Sequence, residues 1–199
     1  VWGPREHIIL ARLGDKVKGI GVASGMSGSP VYIDGKLVGA ISLRIGMFTN
    51  EPIAGITPAE LMLEIKEMDE SKTPPATVAE TSRVPLPEEI RRMMSASVVS
   101  GPGAEAFLTP IETPLAFTGF NDAVLKQFGD VFRQMGVTPV QGGAGNSISD
   151  TRPSRDRQAL LEALPPGSAV SGVLVSGDFS VAGTGTVTYN DGRRVLAFG

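Results

Sequence analysis

Gly25-Met26-Ser27-Gly28-Ser29-Pro30-Val31-Tyr32-Ile33-Asp34-Gly35-Lys36-Leu37-Val38-Gly39-Ala40-Ile41 is the stretch on which the reading of this chain turns. Its later part is two apolar runs joined by Asp34-Gly35. Asp-Gly between apolar segments is a strong hairpin signal, because tight hairpin turns need residues that tolerate positive φ. Its first six residues read as a tight turn, entered from the apolar run Ile20-Gly21-Val22-Ala23. Glycines on both sides of Ser27 open backbone conformations closed to residues with a Cβ and let the backbone approach a bound carbonyl closely. Such a turn can hold Ser27 exposed as a nucleophile. It can also aim the amides of Gly25 and Ser27 at one point, as stabilising the oxyanion of an acyl-transfer intermediate requires. Gly/Ser-rich turns between strands also occur where there is no chemistry, so a purely structural turn stands as the alternative.

A nucleophile turn feeding directly into a hairpin is the layout of chymotrypsin-like barrels. More specifically, residues 22–42 resemble the serine element of the SpoIVB-type peptidase family, a family of serine endopeptidases. The resemblance implies that Ser27, third in the hexapeptide, is the nucleophile and that Ser29 is a turn residue. A second stretch, Thr184-Gly185-Thr186-Val187-Thr188-Tyr189-Asn190-Asp191-Gly192-Arg193-Arg194-Val195-Leu196-Ala197-Phe198-Gly199, is similar to the family's other recurring element. That element is a glycine-led hairpin closing in a Gly-His pair whose histidine is the general base. Here the position implied for the histidine is the one after Gly199. In the sporulation protease after which the family is named, the Gly-His element precedes the serine element, and in this chain the order is reversed. The family also carries an aspartate after the strand that leads into its serine element. Asp15, after Leu13, matches that position at a shorter spacing, as the acid of a triad; a turn aspartate capping its own backbone is the alternative.

A serine needs a base within hydrogen-bond reach. His7 is the single histidine of the chain, and its surroundings do not resemble the Gly-His element, so it reads as an edge or interface residue. Lys36, beside the hairpin turn, reads as solvated. One histidine and no cysteine leave metal chemistry only carboxylates, which form no calcium-loop pattern. Neither a metal nor a cofactor is expected. Gly142-Gly143-Ala144-Gly145 lacks the lysine and the strand-to-helix setting of a phosphate loop.

With 199 residues, 41% of them hydrophobic, and a net charge of −3, the chain can bury a sizeable core of one or two units and is not a nucleic-acid binder by charge. The absence of cysteine rules out disulfides without separating compartments. No apolar run approaches the ~20 residues that a membrane-spanning helix needs. Twenty-five glycines, fifteen prolines and only 6% aromatic residues favour short strands and turns over a helical bundle. The chain opens on Val1 and closes on Gly199 at the end of a hairpin, so it is expected to be a fragment of a longer protein; the family resemblance implies an exported bacterial protein with a barrel half before Val1.

Outward from the serine turn, residues 7–13 read as a buried strand and 17–22 as a second one. Residues 47–55 read as a polar loop bordering the cleft. Thr57-Pro58-Ala59-Glu60 reads as a capping box with proline at the first helical position, followed by the apolar stripe Leu61, Ile65 and Met68. Residues 69–87, with Pro74, Pro75, Pro85 and Pro87, read as a linker. Beyond it, 88–94 is expected to be a short helix, 115–120 a strand, and 121–135 an amphipathic helix with Val124, Leu125, Phe128, Val131, Phe132 and Met135 on one face, its aromatics read as core. Residues 141–154 read as a mobile glycine- and serine-rich loop and 158–164 as one or two helical turns. Residues 168–198 alternate like antiparallel strands with turns at Gly177-Asp178 and Asn190-Asp191-Gly192.

The expected fold is therefore mainly β with α (α+β). A chymotrypsin-like half-barrel carries the serine element over 1–68, and a linker over 69–87 leads to a second α+β region over 88–199. The expected function is peptide-bond hydrolysis through a Ser27 acyl-enzyme, on a peptide or protein substrate and outside the cytoplasm. Two alternatives are a non-catalytic peptide- or protein-binding module that keeps the fold and an autoprocessing peptidase with the proline-rich linker as its cleavage site.

Overall fold

Two long strands organise the chain, and each becomes the centre of its own sheet. The computed structural model describes residues 7–14, 17, 21–45, 52–64, 84–86, 88–93, 107–134, 137–142, 159 and 162–198. In the first sheet, β1 (Ile9–Arg12), β2 (Pro30–Ile33), β3 (Lys36–Ile45), β4 (Ile53–Pro58), β5 (Val84–Pro85) and β6 (Phe107–Pro110) run in the order β1-β4-β3-β6-β5, with β2 also on β3. Along one edge of β3 lies β4. Along the other lie β2, paired at the start of β3, and β6, paired at its end. In the second sheet, β7 (Thr113–Thr118), β8 (Val137–Gln141), β9 (Ala169–Val175), β10 (Ser180–Asn190) and β11 (Val195–Phe198) repeat that plan around β10. One edge of β10 takes β9; the other takes β7 and then β11. Three helices, α1 (Ala59–Leu63), α2 (Glu88–Met93) and α3 (Asp122–Gln134), complete the described elements. The molecule is thus mainly β with few helices and two curled sheets. No described helix is long and apolar enough to cross a membrane.

Local turn chemistry sets the β2–β3 and β10–β11 hairpins. Asp34 (φ 49°) and Gly35 (φ 75°) both take positive φ, the conformation a two-residue β2–β3 connection needs to match strand twist. In the β10–β11 turn, the Asp191 Oδ1 accepts the amides of Arg193 at 2.8 Å and Arg194 at 2.7 Å, and the Asn190 Oδ1 accepts that of Gly192 at 2.8 Å. The Arg194 and then the Arg193 amide bonds hold the Asp191 carboxyl below its ordinary pKa.

Other expectations give way to tertiary context. Residues 17–22 do not extend as a strand where described. The Val17 amide donates to the Gly14 carbonyl, and the Gly21 amide, at φ 73°, donates to that of Val17. The polar loop expected over 47–55 is already strand from Ile53, because β4 runs between β1 and β3 and is buried along nearly its whole length. The capping box does not form. Thr57 belongs to β4 and its hydroxyl donates to the Ser42 Oγ at 2.8 Å, leaving α1 to start after Pro58 without a side-chain cap. Ile65 and Met68 of the expected stripe lie outside the described residues. Gln141, expected in a loop, ends β8, which pairs parallel to β7 across the α3 crossover as a parallel connection demands; the rest of that loop and the Gly142–Gly145 motif beyond Gly142 lie outside the described residues. The first sheet also draws β5 from within 69–87 and β6 from the region beyond.

α3 starts where the sequence places it, capped by Asn121, whose Oδ1 accepts the Ala123 amide at 2.8 Å. Its apolar face is only half used. Leu125 is buried, and Phe132 packs on Phe117 with ring centroids 5.0 Å apart, whereas Val124, Phe128 and Val131 are exposed. Met135 lies outside the described residues.

The first sheet holds two apolar clusters. Leu43, Ile45, Ile53, Leu86 and Leu108 form one, and Val22, Ile41, Ala54 and Ile111 form the other, joined by Leu13, Met26 and Val31. Leu43 is fully buried, so Leu43→Ala should cost about 2–5 kcal/mol in chemical denaturation, as large-to-small changes in packed cores do. A loss below about 1 kcal/mol would mean that the cluster is not a packed core. A carboxylate stabilised in the folded state supports its turn above the ordinary aspartate range, and that support is lost as pH falls through the lowered folded midpoint. An NMR titration should accordingly place the Asp191 midpoint below that of an aspartate in an unstructured peptide.

Candidate functional site: a serine turn held between two sheets

Residues 23–29 form a compact turn that ends in β2. The Met26 amide donates to the Ala23 carbonyl (3.2 Å) and the Ser29 amide to that of Met26 (3.1 Å), while Gly25 and Gly28 take φ of 89° and 77°. Backbone bonds tie the turn to β3: Gly28 donates to Ile41 O at 2.8 Å, and Ile41 donates to Ser29 O at 3.0 Å. The Met26 side chain packs into the Ile41 cluster. Ser27 thus sits on a fixed loop and is buried, at 8% exposure. Among the described residues, the amides of Met26, Gly28 and Ser29 have partners, whereas those of Gly25 and Ser27 have none. These two are the amides an oxyanion site would use.

The second sheet closes on this turn. The hydroxyl of Thr188, in β10 and fully buried, donates to the Gly28 carbonyl at 2.6 Å. A Cβ built on Gly28 would run into the Phe198 carbonyl oxygen and lie 3.0 Å from that of Thr186. Only a residue without a side chain lets β10 and β11 come this close. The two stretches singled out in the sequence, 22–42 and 184–199, are therefore in contact although they are far apart along the chain. Sequence reasoning did not single out Thr188; the signal available was a threonine within a strand of small and apolar residues, which is too common to point anywhere.

Neither candidate base within the described residues is placed at the serine. His7 is exposed and precedes the end of β1 that pairs with Ile56. Leu13, which shares a cluster with Met26, lies beyond the other end, and β1 itself is about 13 Å long. Lys36 is exposed and pairs with Ile33, at the end of β2 remote from Ser29. Asp15 and Gly199 lie outside the described residues. Among the described residues no cluster of histidine, cysteine or carboxylates could hold a metal ion.

Gly25 and Gly28 have similar positive φ, but a Cβ on Gly25 would meet nothing within 4 Å. Gly25→Ala should therefore cost about 1–2 kcal/mol, the penalty of the left-handed conformation alone. Gly28→Ala adds a clash with two carbonyls and should cost clearly more. Equal losses in urea denaturation would show that the second sheet does not press on the turn.

No protein-family model matches this chain, and neither a curated protein nor a solved structure does.

Proposed function

We propose that this chain carries the serine part of a SpoIVB-type serine endopeptidase built on a chymotrypsin-like plan. The observation that carries the reading is the contact between the two stretches that resemble the family's elements: Phe198 of the second lies against Gly28 of the first. Gly28 is next to Ser27 in the chain. The position after Gly199, where the resemblance places the histidine, is two residues beyond Phe198, and two residues of extended chain span about 7 Å. A histidine there is tethered to the strand end that lies on Gly28, the neighbour of Ser27.

In this mechanism the Ser27 Oγ attacks the carbonyl carbon of a peptide bond and gives its proton to the histidine. The Gly25 and Ser27 amides hold the resulting oxyanion. The C–N bond breaks as the histidine returns the proton to the leaving amine, and water, activated by the same base, releases the acyl group from Ser27. Asp15 is assigned the role of orienting the histidine. An exported bacterial setting and a peptide or protein substrate go with this reading.

The second reading, a binding module in which the turn is purely structural, draws on the burial of Ser27 and on the placement of His7 and Lys36 away from it. Labelling by a fluorophosphonate probe separates the two, run on the 199-residue chain and on the same chain extended by one histidine after Gly199. The extended protein should label at Ser27, faster than the unextended one, and Ser27→Ala should abolish labelling. Absence of Ser27-dependent labelling in both favours the binding module.

A further inference from the structure

We propose that Thr188 is a positioning residue for Ser27: its hydroxyl, by holding the Gly28 carbonyl, sets the Gly28–Ser29 peptide one step beyond the nucleophile and so couples the serine turn to the second sheet. The inference rests on the serine-peptidase reading above, and adds to it a residue outside both the nucleophile and its base. Gly28 is held at both of its peptide groups. Its amide donates to Ile41 of β3 in the first sheet, and its carbonyl accepts from Thr188 of β10 in the second. The first bond fixes the plane of the Ser27–Gly28 peptide, and the second fixes that of Gly28–Ser29. Between the two planes lies the φ of 77° that allows the turn to reverse beneath Ser27. Without the second bond, the Gly28–Ser29 plane is held only from within the turn, by the Ser29 amide on the Met26 carbonyl, and the second sheet no longer helps to set the direction of the Ser27 side chain.

Among the described residues the Thr188 hydroxyl has no hydrogen-bond partner besides the Gly28 carbonyl. Thr188 is fully exposed to neither solvent nor cleft: it is completely buried, beside the equally buried Val187 and the nearly buried Thr186. A buried hydroxyl needs an acceptor, and the one it uses belongs to the residue after the nucleophile. The Thr186 and Phe198 carbonyls flank Gly28 on the same side, so a shift of the β10–β11 hairpin moves the bond and its surroundings together. A serine hydrolase depends on sub-ångström placement of its nucleophile, and misplacement by about 1 Å can cost about a hundredfold in rate.

The test uses the histidine-extended protein with Thr188→Val, which keeps the shape and removes the donor, and Thr188→Ser, which restores it. Two quantities are read: the rate of fluorophosphonate labelling of Ser27, and hydrogen exchange at the Gly28 and Ser29 amides, both well below each variant's unfolding temperature. Thr188→Val should slow labelling by about tenfold or more and speed exchange at both amides, and Thr188→Ser should stay within about twofold of the parent in both. Labelling at the parental rate with parental protection in Thr188→Val overturns the proposal. So does equal impairment in Thr188→Ser, which would mark a packing effect rather than a hydroxyl. Should Thr188→Val fail to fold, Thr188→Cys, of similar volume and with a weaker donor, replaces it; an intermediate rate supports the coupling and a parental rate overturns it. If the parent itself shows no Ser27-dependent labelling, the peptidase reading falls, and amide exchange alone then decides whether Thr188 holds the turn.

Discussion

Gly28 is held by both sheets. Its amide belongs to the hydrogen-bonding pattern of β3, its carbonyl to a side chain of β10, and the space its missing Cβ would fill is occupied by carbonyls of β10 and β11. The Thr188–Gly28 bond joins residues 160 apart in sequence. Closing a loop of that length costs about 4–5 kcal/mol in chain entropy, whereas a hydrogen bond returns about 1 kcal/mol net. The bond therefore cannot be what brings the two sheets together. It fixes where they meet, once apolar packing has made each of them.

That packing is arranged around β3 and β10. Each is long enough to serve two partners along one edge and a third along the other, and each places its hairpin partner at the serine turn: β2 leaves the turn directly, and β11 ends against Gly28. The apolar clusters lie mainly in the first sheet. In the second, an aromatic chain from Phe179 through Phe120 and Phe117 to Phe132 ties α3 to β7 and to the start of β10. The serine turn thus rests on the better-buried half of the molecule and is approached by the more exposed one.

What could be read in advance was local. Asp34-Gly35 and Asn190-Asp191-Gly192 specify their turns by short-range chemistry, and the spacing of Val124, Leu125, Phe128, Val131 and Phe132 with its polar complement specifies α3. β4 was not legible, because Pro52 and Gly55 look like breakers in a sequence window and only the flanking β1 and β3 make Ile53–Pro58 a central strand. β8 carries Pro139, which is tolerated because β8 lies at a sheet edge, and its parallel pairing with β7 is a non-local contact with no turn signal of its own. Thr57 shows the competition directly: its hydroxyl suits a helix cap, yet pairing with β3 and the neighbouring Ser42 takes it into the sheet.

At the site, the division follows the same line. The residues 25–30 by themselves determined a tight, glycine-flanked serine turn feeding a hairpin, since φ tolerance and turn type are properties of a few adjacent residues. Only the tertiary structure decided that Ser27 is buried, that His7 and Lys36 stand away from it, and that β10 and β11 lie on Gly28. Those outcomes depend on which strands pair and which residues are left without room for a side chain, and neither is encoded in any window shorter than the two sheets.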